Sequence, residues 1–526
     1  MVNKENPVLS ISILTSNRKD TIRKCLDSIT HLREVVPSEL VIVDTGCDDE
    51  MLSIVGQYTD RIVKFEWIGD FSAARNTGLD ACRGEWFMFL DDDEWFEDTS
   101  EIEEFFSKGY YKKFDSCWYI QRNYSDMTGN DYSDLYVARM AALKKGVRFK
   151  GIIHEYIDYK GVYTTVKSYV HHYGYVFNTP EARYKHHQRN TTLLQKAIKN
   201  EPENIRWWAQ LVQEYVNIDE YETIKDICRD ALLNFEGKED DNIRRNIIYF
   251  YSAAMEADIH TYKFDEGISI GEKALEDTRL YPMGIAYINL LIASLYARKN
   301  EYEKLKEYAK KYIEIYDVLI NDEVSRVTQM SSFCEGALSE KSHSQCCWML
   351  IEAFIRDENT NEVKIYFNRI NFENKAVYLV DEKDINTFLK YISLQKLDEW
   401  FVNAVIRIKN AGCFTDNFVK VLSDLKKENK ESFDRLLALC IAAGIMHPYI
   451  NYEKIMASKT NEYIEVTEID IENTARKLLE MNFNNILGDD DFWNMLKVQN
   501  IDVDKMIKDI CFDKWKRVVD EYCESM

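Results

Sequence analysis

Gly84-Glu85-Trp86-Phe87-Met88-Phe89-Leu90-Asp91-Asp92-Asp93 is an apolar run that reads as a strand and ends in three consecutive carboxylates. Working outward, the periodicity predicts strands at 8–14, at Leu40-Val41-Ile42-Val43 and at 61–67, and a helix over 71–81. The loop Thr15-Ser16-Asn17-Arg18-Lys19-Asp20 is rich in capping residues, and a helix follows it with Ile22, Cys25, Leu26 and Ile29 on one face. This alternation predicts βα units around a mostly parallel sheet. In such a sheet ligands sit at the carboxyl ends of the strands, so Thr15, Asp44 and Asp91 to Asp93 should converge on one crevice. From about 115 to 178 the pattern is strand-rich, with runs at 117–121, 135–143 and 162–172 that read as an excursion completing the site.

The chain has 526 residues, enough for several domains, and its 46% hydrophobic content is ample for globular folding. With 67 basic against 90 acidic residues, the net charge of −23 argues against nucleic acid or an anionic membrane as the main partner. The N-terminal residues lack the apolar core of a signal peptide, and the apolar stretch at 285–296 is broken by Asn289 and Ser294. A soluble, cytoplasmic chain without stable membrane insertion is therefore expected. The twelve cysteines are scattered and contain no Cys-x-x-Cys pair, which favours reduced, mostly buried thiols.

Three adjacent carboxylates at a strand end repel one another and stay ionised in a crevice only beside a cation. Mg²⁺ or Mn²⁺ suits such oxygen ligands and accepts substrate phosphate in the same shell. The competing reading is a solvated acidic turn. Context decides between them, because the whole stretch from Asp70 to Glu94, with Ala74-Arg75-Asn76-Thr77-Gly78 and Gly84-Glu85-Trp86 ahead of the aspartates, resembles glycosyltransferase family 2. With Thr15-Ser16-Asn17-Arg18 and Val43-Asp44, the likeness covers about the first 175 residues.

The resemblance implies a GT-A fold, an α/β Rossmann-like mixed sheet, and a nucleotide-sugar site made of Thr15, Asn17, Arg18, Asp44, Arg75, Asp91 and Asp92. It places Thr15 and Asp44 at the base and ribose, Arg75 near the base or diphosphate, Asp91 at the ribose or metal, and Asp93 on the metal. A helix-to-sheet salt bridge is the structural alternative for Arg75, and strand-end capping the alternative for Asp44. Asp92 is expected to point away, since alternate residues of an extended segment face opposite sides.

A second cluster is Phe149-Lys150-Gly151-Ile152-Ile153-His154-Glu155, followed by Tyr169-Val170-His171-His172-Tyr173-Gly174-Tyr175. An inverting transfer needs a group that removes the acceptor proton, and Glu155 suits that role, with His154 beside it. The resemblance implies that Glu155 is the base and that His172 completes the metal shell. Hydrogen-bonded core histidines are the alternative for His154 and His171. These elements, followed by helices, narrow the likeness to the branch that includes the S-glycosyltransferase modifying the bacteriocin sublancin, and more distantly to the glucosyltransferases of lipopolysaccharide cores.

From about 180 the text becomes helical, with helix pairs roughly 34 residues apart that read as an all-α TPR-like solenoid. Trp208, Leu211, Val212, Tyr215 and Ala231 fit one repeat, while Trp207, Trp208, Tyr215, Tyr249 and Tyr251 read as repeat core. Beyond about 330 the repeat signal fades. The expected domains are thus 1–178, 179–330 and a divergent helical region 331–526. The array offers a concave face for a peptide or protein acceptor, and solenoids can also present a face for a homodimer. The expected activity is inverting, metal-dependent transfer of a hexose or N-acetylhexosamine from a UDP-sugar to a Ser, Thr or Cys side chain. Synthesis of a surface polysaccharide and a non-catalytic helical scaffold are the alternatives. A sugar-nucleotide pyrophosphorylase lacks support, because no Gly-rich phosphate loop stands near the N-terminus.

Overall fold

The computed structural model describes residues 7–159, 161–174, 176, 179–329, 335–372, 382–410, 417–458, 468–480, 494, 496–497 and 501–510. Tyr175, part of the expected His-x-Gly-Tyr element, lies outside them. The chain divides into two compact units, Met1–Lys238 and Glu239–Met526.

The first unit is built on strands β1 (Leu9–Thr15), β2 (Ser38–Asp44), β3 (Ile62–Lys64) and β4 (Trp86–Asp91). Helices α1 (Lys19–Ser28), α2 (Thr30–Val35), α3 (Asp49–Val55) and α4 (Phe71–Ala81) connect them. β1 pairs in parallel with both β2 and β4, so the direction of winding reverses beside it and a crevice opens at its carboxyl end. The register sets Thr15 beside Asp44 and Leu14 beside Asp91, which brings the expected site strands to one edge of the sheet. The third strand is shorter than the periodicity suggests. It pairs along Ile62, Val63 and Lys64, and Phe65 N–H then bonds back to the Asp44 carbonyl at 2.8 Å.

The strand-rich excursion joins the same sheet. β5 (Glu94–Phe96), β6 (Ser116–Tyr124), β7 (Tyr132–Ala142) and β10 (Tyr163–His172) extend it to the order β3-β2-β1-β4-β7-β6-β10-β5, while β8 (Arg148–Lys150) and β9 (Tyr156–Asp158) form a separate pair. β7 runs antiparallel to both β4 and β6, giving the mixed GT-A-type sheet that the family resemblance implies. One face is covered by a core of Ile11, Ile13, Leu26, Met88, Leu90 and Phe105, the last from α5 (Ser100–Ser107). Every residue of β2, and all but the last of β4, is buried, as continuous apolar strands in the middle of a covered sheet must be.

Helices α6 (Pro180–Asn200), α7 (Ile205–Val216) and α8 (Tyr221–Asn234) follow within the first unit. Leu193, Leu194 and Ala197 of α6 and Trp207 and Leu211 of α7 share a core with Ile153. Fully burying one such apolar side chain contributes about 1.5–3 kcal/mol. The segment just before Glu155 is therefore embedded in helices that the repeat pattern assigned to the second domain.

The second unit is helical. α10 (Ile248–His260) follows the short α9 (Asp241–Asn246), and α10, α11 (Phe264–Leu275), α12 (Pro282–Lys299) and α13 (Tyr302–Ile320) pack in succession. The pairing continues where the sequence signal fades, with Glu340–Arg356 packed on Thr360–Arg369 and Glu382–Leu394 on Asp398–Asn410. One turn recurs between paired helices in both units. Asp219, Tyr262, Asn300, Glu358 and Lys396 all have φ between 54° and 59°. The next residue's N–H bonds to the carbonyl five positions back, as in Lys263 to Asp258 at 2.8 Å and Asn359 to Phe354 at 2.9 Å. This is the six-to-one bond of a Schellman cap. Asn300 is a residue type familiar at such a turn, but Asp219, Tyr262, Glu358 and Lys396 leave little mark for a reader of the sequence.

Cys25, Cys117, Cys228, Cys346, Cys347 and Cys440 are buried free thiols. Among the described residues no helix is long and apolar enough to cross a membrane.

Gly78 lets α4 lie directly on β1 and β2. A Cβ there would stand 2.8 Å from Val43 Cγ2 and still closer to Ser12 Oγ. Gly78→Ala gains roughly 0.8–1 kcal/mol of helix propensity, but overpacking costs about 1–3 kcal/mol, so the net effect should be destabilising. Hydrogen exchange of β1 and β2 amides should be faster in the variant; slower exchange would contradict this packing.

Candidate functional site

A cavity of about 780 Å³ opens at the carboxyl ends of β1 and β4. Thr15, Arg18, Asp91, Asp92 and Asp93 line it on the strand side, and Arg75, His154, Glu155 and His172 also reach it. Arg139 of β7 and His186, Arg189 and Asn190 of α6 share the lining, although no motif had marked them. Asn17 and Asp44 do not line it. The Asn17 side chain bridges the Gly46 carbonyl and the Asp48 N–H, and Asp44 Oδ1 accepts from Gly46 N–H and Cys47 N–H at 2.9 and 2.7 Å. Both thus fasten the loop after β2.

The centre of the site is a buried guanidinium. α4 begins at Asp70, whose carboxylate caps it by accepting from Ala73 N–H at 2.9 Å, and its second turn aims Arg75 inward. Arg75 donates through Nη2 to Asp91 and through Nε to Glu155. Arg139 donates to the other oxygen of Asp91 at 3.1 Å and to the fully buried Glu94 at 2.9 Å. Both guanidinium carbons stand about 4.5 Å from the Phe89 ring centre, at 4.6 and 4.5 Å, adding cation–π attraction. Burial alone would raise the Asp91 carboxyl, but Arg75 and Arg139 outweigh it and hold Asp91 well below the usual carboxylate range. For Glu94, burial outweighs Arg139 and raises the carboxyl.

The next two aspartates do different work. Asp92 is buried, and its Oδ2 accepts from Thr15 Oγ1 at 2.9 Å and from Ser16 N–H at 3.3 Å, tying the end of β4 to the loop after β1. It does point away from Asp91, into that loop. Burial, with Asp93 adding to it and Arg18 opposing it, pushes the Asp92 carboxyl up to about 6. Asp93 is paired with Arg18, whose side chain is half exposed.

On the opposite wall, Gly151 (φ 94°) and His154 (φ 49°) are both left-handed, so the chain turns twice within five residues before delivering Glu155. A non-glycine residue held this way costs roughly 1–2 kcal/mol, which the surroundings must offset. Ser72 Oγ donates to the Gly151 carbonyl at 2.5 Å, and Phe71 N–H donates to the Ile152 carbonyl at 2.9 Å. His172, at the end of β10, has its Nδ1 2.7 Å from Asn123 Oδ1, which fixes the ring. His171 belongs to a separate contact, with Tyr124 and Glu97. Among the described residues no group of three or more His, Cys, Asp or Glu side chains is assembled as a metal cluster. Asp93 and His172 offer one carboxylate and one imidazole to the same cavity, donor types that suit a divalent cation.

Removing one partner from a buried ion pair costs about 3–5 kcal/mol, because the remaining charge is left without compensation. Arg75→Met takes the guanidinium from Glu155 and leaves Asp91 with Arg139 alone, so it should destabilise the first unit by about that amount, read as a lower urea midpoint in the transition that involves β4. An unchanged midpoint would mean that the two carboxylates do not depend on Arg75.

Residues 10–165 match the family model for Glycosyl transferase family 2. The chain is 28% identical over 102 residues to a TPR repeat-containing protein of Synechococcus elongatus, covering 18% of this chain and 24% of that one. It is 33% identical over 94 residues to the uncharacterized glycosyltransferase EpsJ of Bacillus subtilis, covering 17% and 27%. To the glycosyltransferase GlyA of Streptococcus pneumoniae it is 29% identical over 129 residues, covering 24% and 17%. The chain thus spans about a quarter or less of the length of these relatives. Among solved structures, S. aureus TarS 1–349 aligns at 12% identity over 58% of this chain and 91% of its own, with a TM-score of 0.25. The match to glycosyltransferase family 2 thus runs from β1 into β10 and takes in the strand end that carries Asp91, Asp92 and Asp93.

Proposed function

We propose that the chain is an inverting, metal-dependent glycosyltransferase that moves a hexose or N-acetylhexosamine from a UDP-sugar to a Ser, Thr or Cys side chain of a peptide or protein. The observation that carries this reading is the shared cavity. It holds an acidic strand end, Asp91 to Asp93, facing a second carboxylate, Glu155, with one guanidinium between them.

In this reading Thr15, Arg18 and Asp91 hold the nucleotide-sugar, and Glu155 accepts the proton of the attacking hydroxyl or thiol. The acceptor oxygen or sulfur bonds to the anomeric carbon while the bond from that carbon to the diphosphate oxygen breaks, and UDP departs with the electron pair. Attack from the face opposite the leaving group turns an α-linked donor into a β-linked product. Arg75 Nε donates to Glu155 and fixes where its carboxylate sits in the cavity. Asp93 and His172 would hold Mn²⁺ or Mg²⁺, which neutralises charge on the departing diphosphate. Arg18 is free to swing off Asp93 to admit the ion, because its side chain is half exposed.

A polypeptide acceptor is supported by the helical second unit, read as a TPR-like array, since stacked helix pairs hold extended peptides.

The test is UDP release from UDP-glucose and UDP-N-acetylglucosamine with and without MnCl₂. Glu155→Gln should lower turnover roughly 10²- to 10⁴-fold while leaving UDP binding intact. Asp93→Asn should abolish transfer, as should EDTA. Normal activity of the Asp93 variant with added metal would overturn the proposed centre, and a wild-type chain that never releases UDP would favour the scaffold reading.

A further inference from the structure

The turn that aims Glu155 is held from outside the sheet. Arg206, on the first turn of α7, donates through Nη2 to the His154 carbonyl at 2.9 Å, across 52 residues of sequence. Its guanidinium also stands 4.8 Å from the ring centre of Tyr156, the residue after Glu155. Two turns further along α7, the buried Glu214 places Oε1 3.7 Å from His154 Nε2. The same oxygen accepts from Asn190 Nδ2 of α6 at 2.8 Å, and the Glu214 carbonyl is 3.1 Å from His187 Nδ1. Burial would raise the Glu214 carboxyl, but His154 and Asn190 outweigh it and lower it, so it stands as an anion facing the imidazole. Trp207 packs against Gly151, where a Cβ would come within 2.7 Å of the indole.

These contacts engage the backbone and side chain of His154, the residue in the turn with the least room to relax, because its left-handed conformation holds only while something fixes it. Glu155 follows directly, and its other restraint is the ion pair with Arg75 from α4. The base thus sits between two clamps, one on the sheet side and one supplied by helices that begin after residue 179.

We propose that Glu214 and Arg206 are positioning residues for Glu155, so that α6 and α7 belong to the catalytic machinery. This inference rests on the reading of Glu155 as the base. Neither residue touches the reacting atoms; they act by holding His154 in its left-handed turn, which sets the reach of the next side chain toward the acceptor.

The test uses the full chain with UDP-N-acetylglucosamine and MnCl₂, measuring UDP release alongside hydrogen exchange of the amides at 152–156. In Glu214→Ala and Arg206→Ala those amides should exchange faster, and kcat should fall roughly 10- to 100-fold with donor KM within about twofold, because about 1 Å of misplacement acts on chemistry and not on donor binding. Glu214→Gln retains an oxygen for the His154 ring and should restore kcat to within about threefold of wild type. His154→Gly changes no residue of α6 or α7, keeps Glu214 bonded to Asn190 and suits the left-handed backbone, so it should stay folded yet lose kcat, which guards against an alanine variant that fails to fold. Wild-type kcat and unchanged exchange in Glu214→Ala, Arg206→Ala and His154→Gly would overturn the positioning role. If instead Glu155→Gln turns over like wild type, the assignment of the base fails, whatever the exchange data show.

Discussion

A guanidinium sealed between two carboxylates is tolerable only if the protein builds everything around it, because each of the three charges costs several kcal/mol to bury alone. Arg75 is in that position. To satisfy it, the strand ending at Asp91 must stop at a fixed register beside β1, α4 must begin at Asp70, and the loop carrying Glu155 must turn back over the sheet. Arg139 then neutralises the remaining oxygen of Asp91 and keeps Glu94 paired in the interior. A chain with a net charge of −23 thus concentrates cations where its carboxylates crowd together. The cluster mixes two cations with three anions, so the cavity wall is neither purely acidic nor purely basic.

The parts of this site that lie within single elements were legible in the sequence. The α4 boundaries follow from Asp70 as cap and Cys82 beyond its last turn, and β4 follows from its apolar run. The convergence of Thr15, Arg18 and the aspartates follows from strand order. Asn17 and Asp44 belong to the family pattern, yet their side chains are used up within the loop after β2, where short polar groups satisfy backbone N–H groups left over at a strand end. Arg75 joined both readings offered for it, since it makes a helix-to-sheet salt bridge and lines the cavity as well.

What was not legible depends on long-range packing. Arg139 lies in β7, where nothing in the local pattern says that this strand runs antiparallel beside β4 and points a guanidinium back at Asp91. Arg206, Glu214 and Asn190 sit in helices whose periodicity reports only that one face is apolar. After residue 330 helices were expected, but their pairing was not legible, for a different reason. Their turns close through a backbone hydrogen bond at Glu358 and Lys396, residue types that give no hint of a left-handed conformation.

The helices that follow the sheet bear on how proteins of this kind exchange parts. A recombination joint placed at the visible change from strands to helices, near residue 178, would pair one protein's His154 turn with another's α7 and lose the contacts from Arg206 and Glu214 unless both residues arrived together. A joint near residue 238 would carry the whole assembly intact. Swapping of helical arrays, whether by evolution or by construction of chimeras, should therefore preserve the His154 turn at the second position and loosen it at the first.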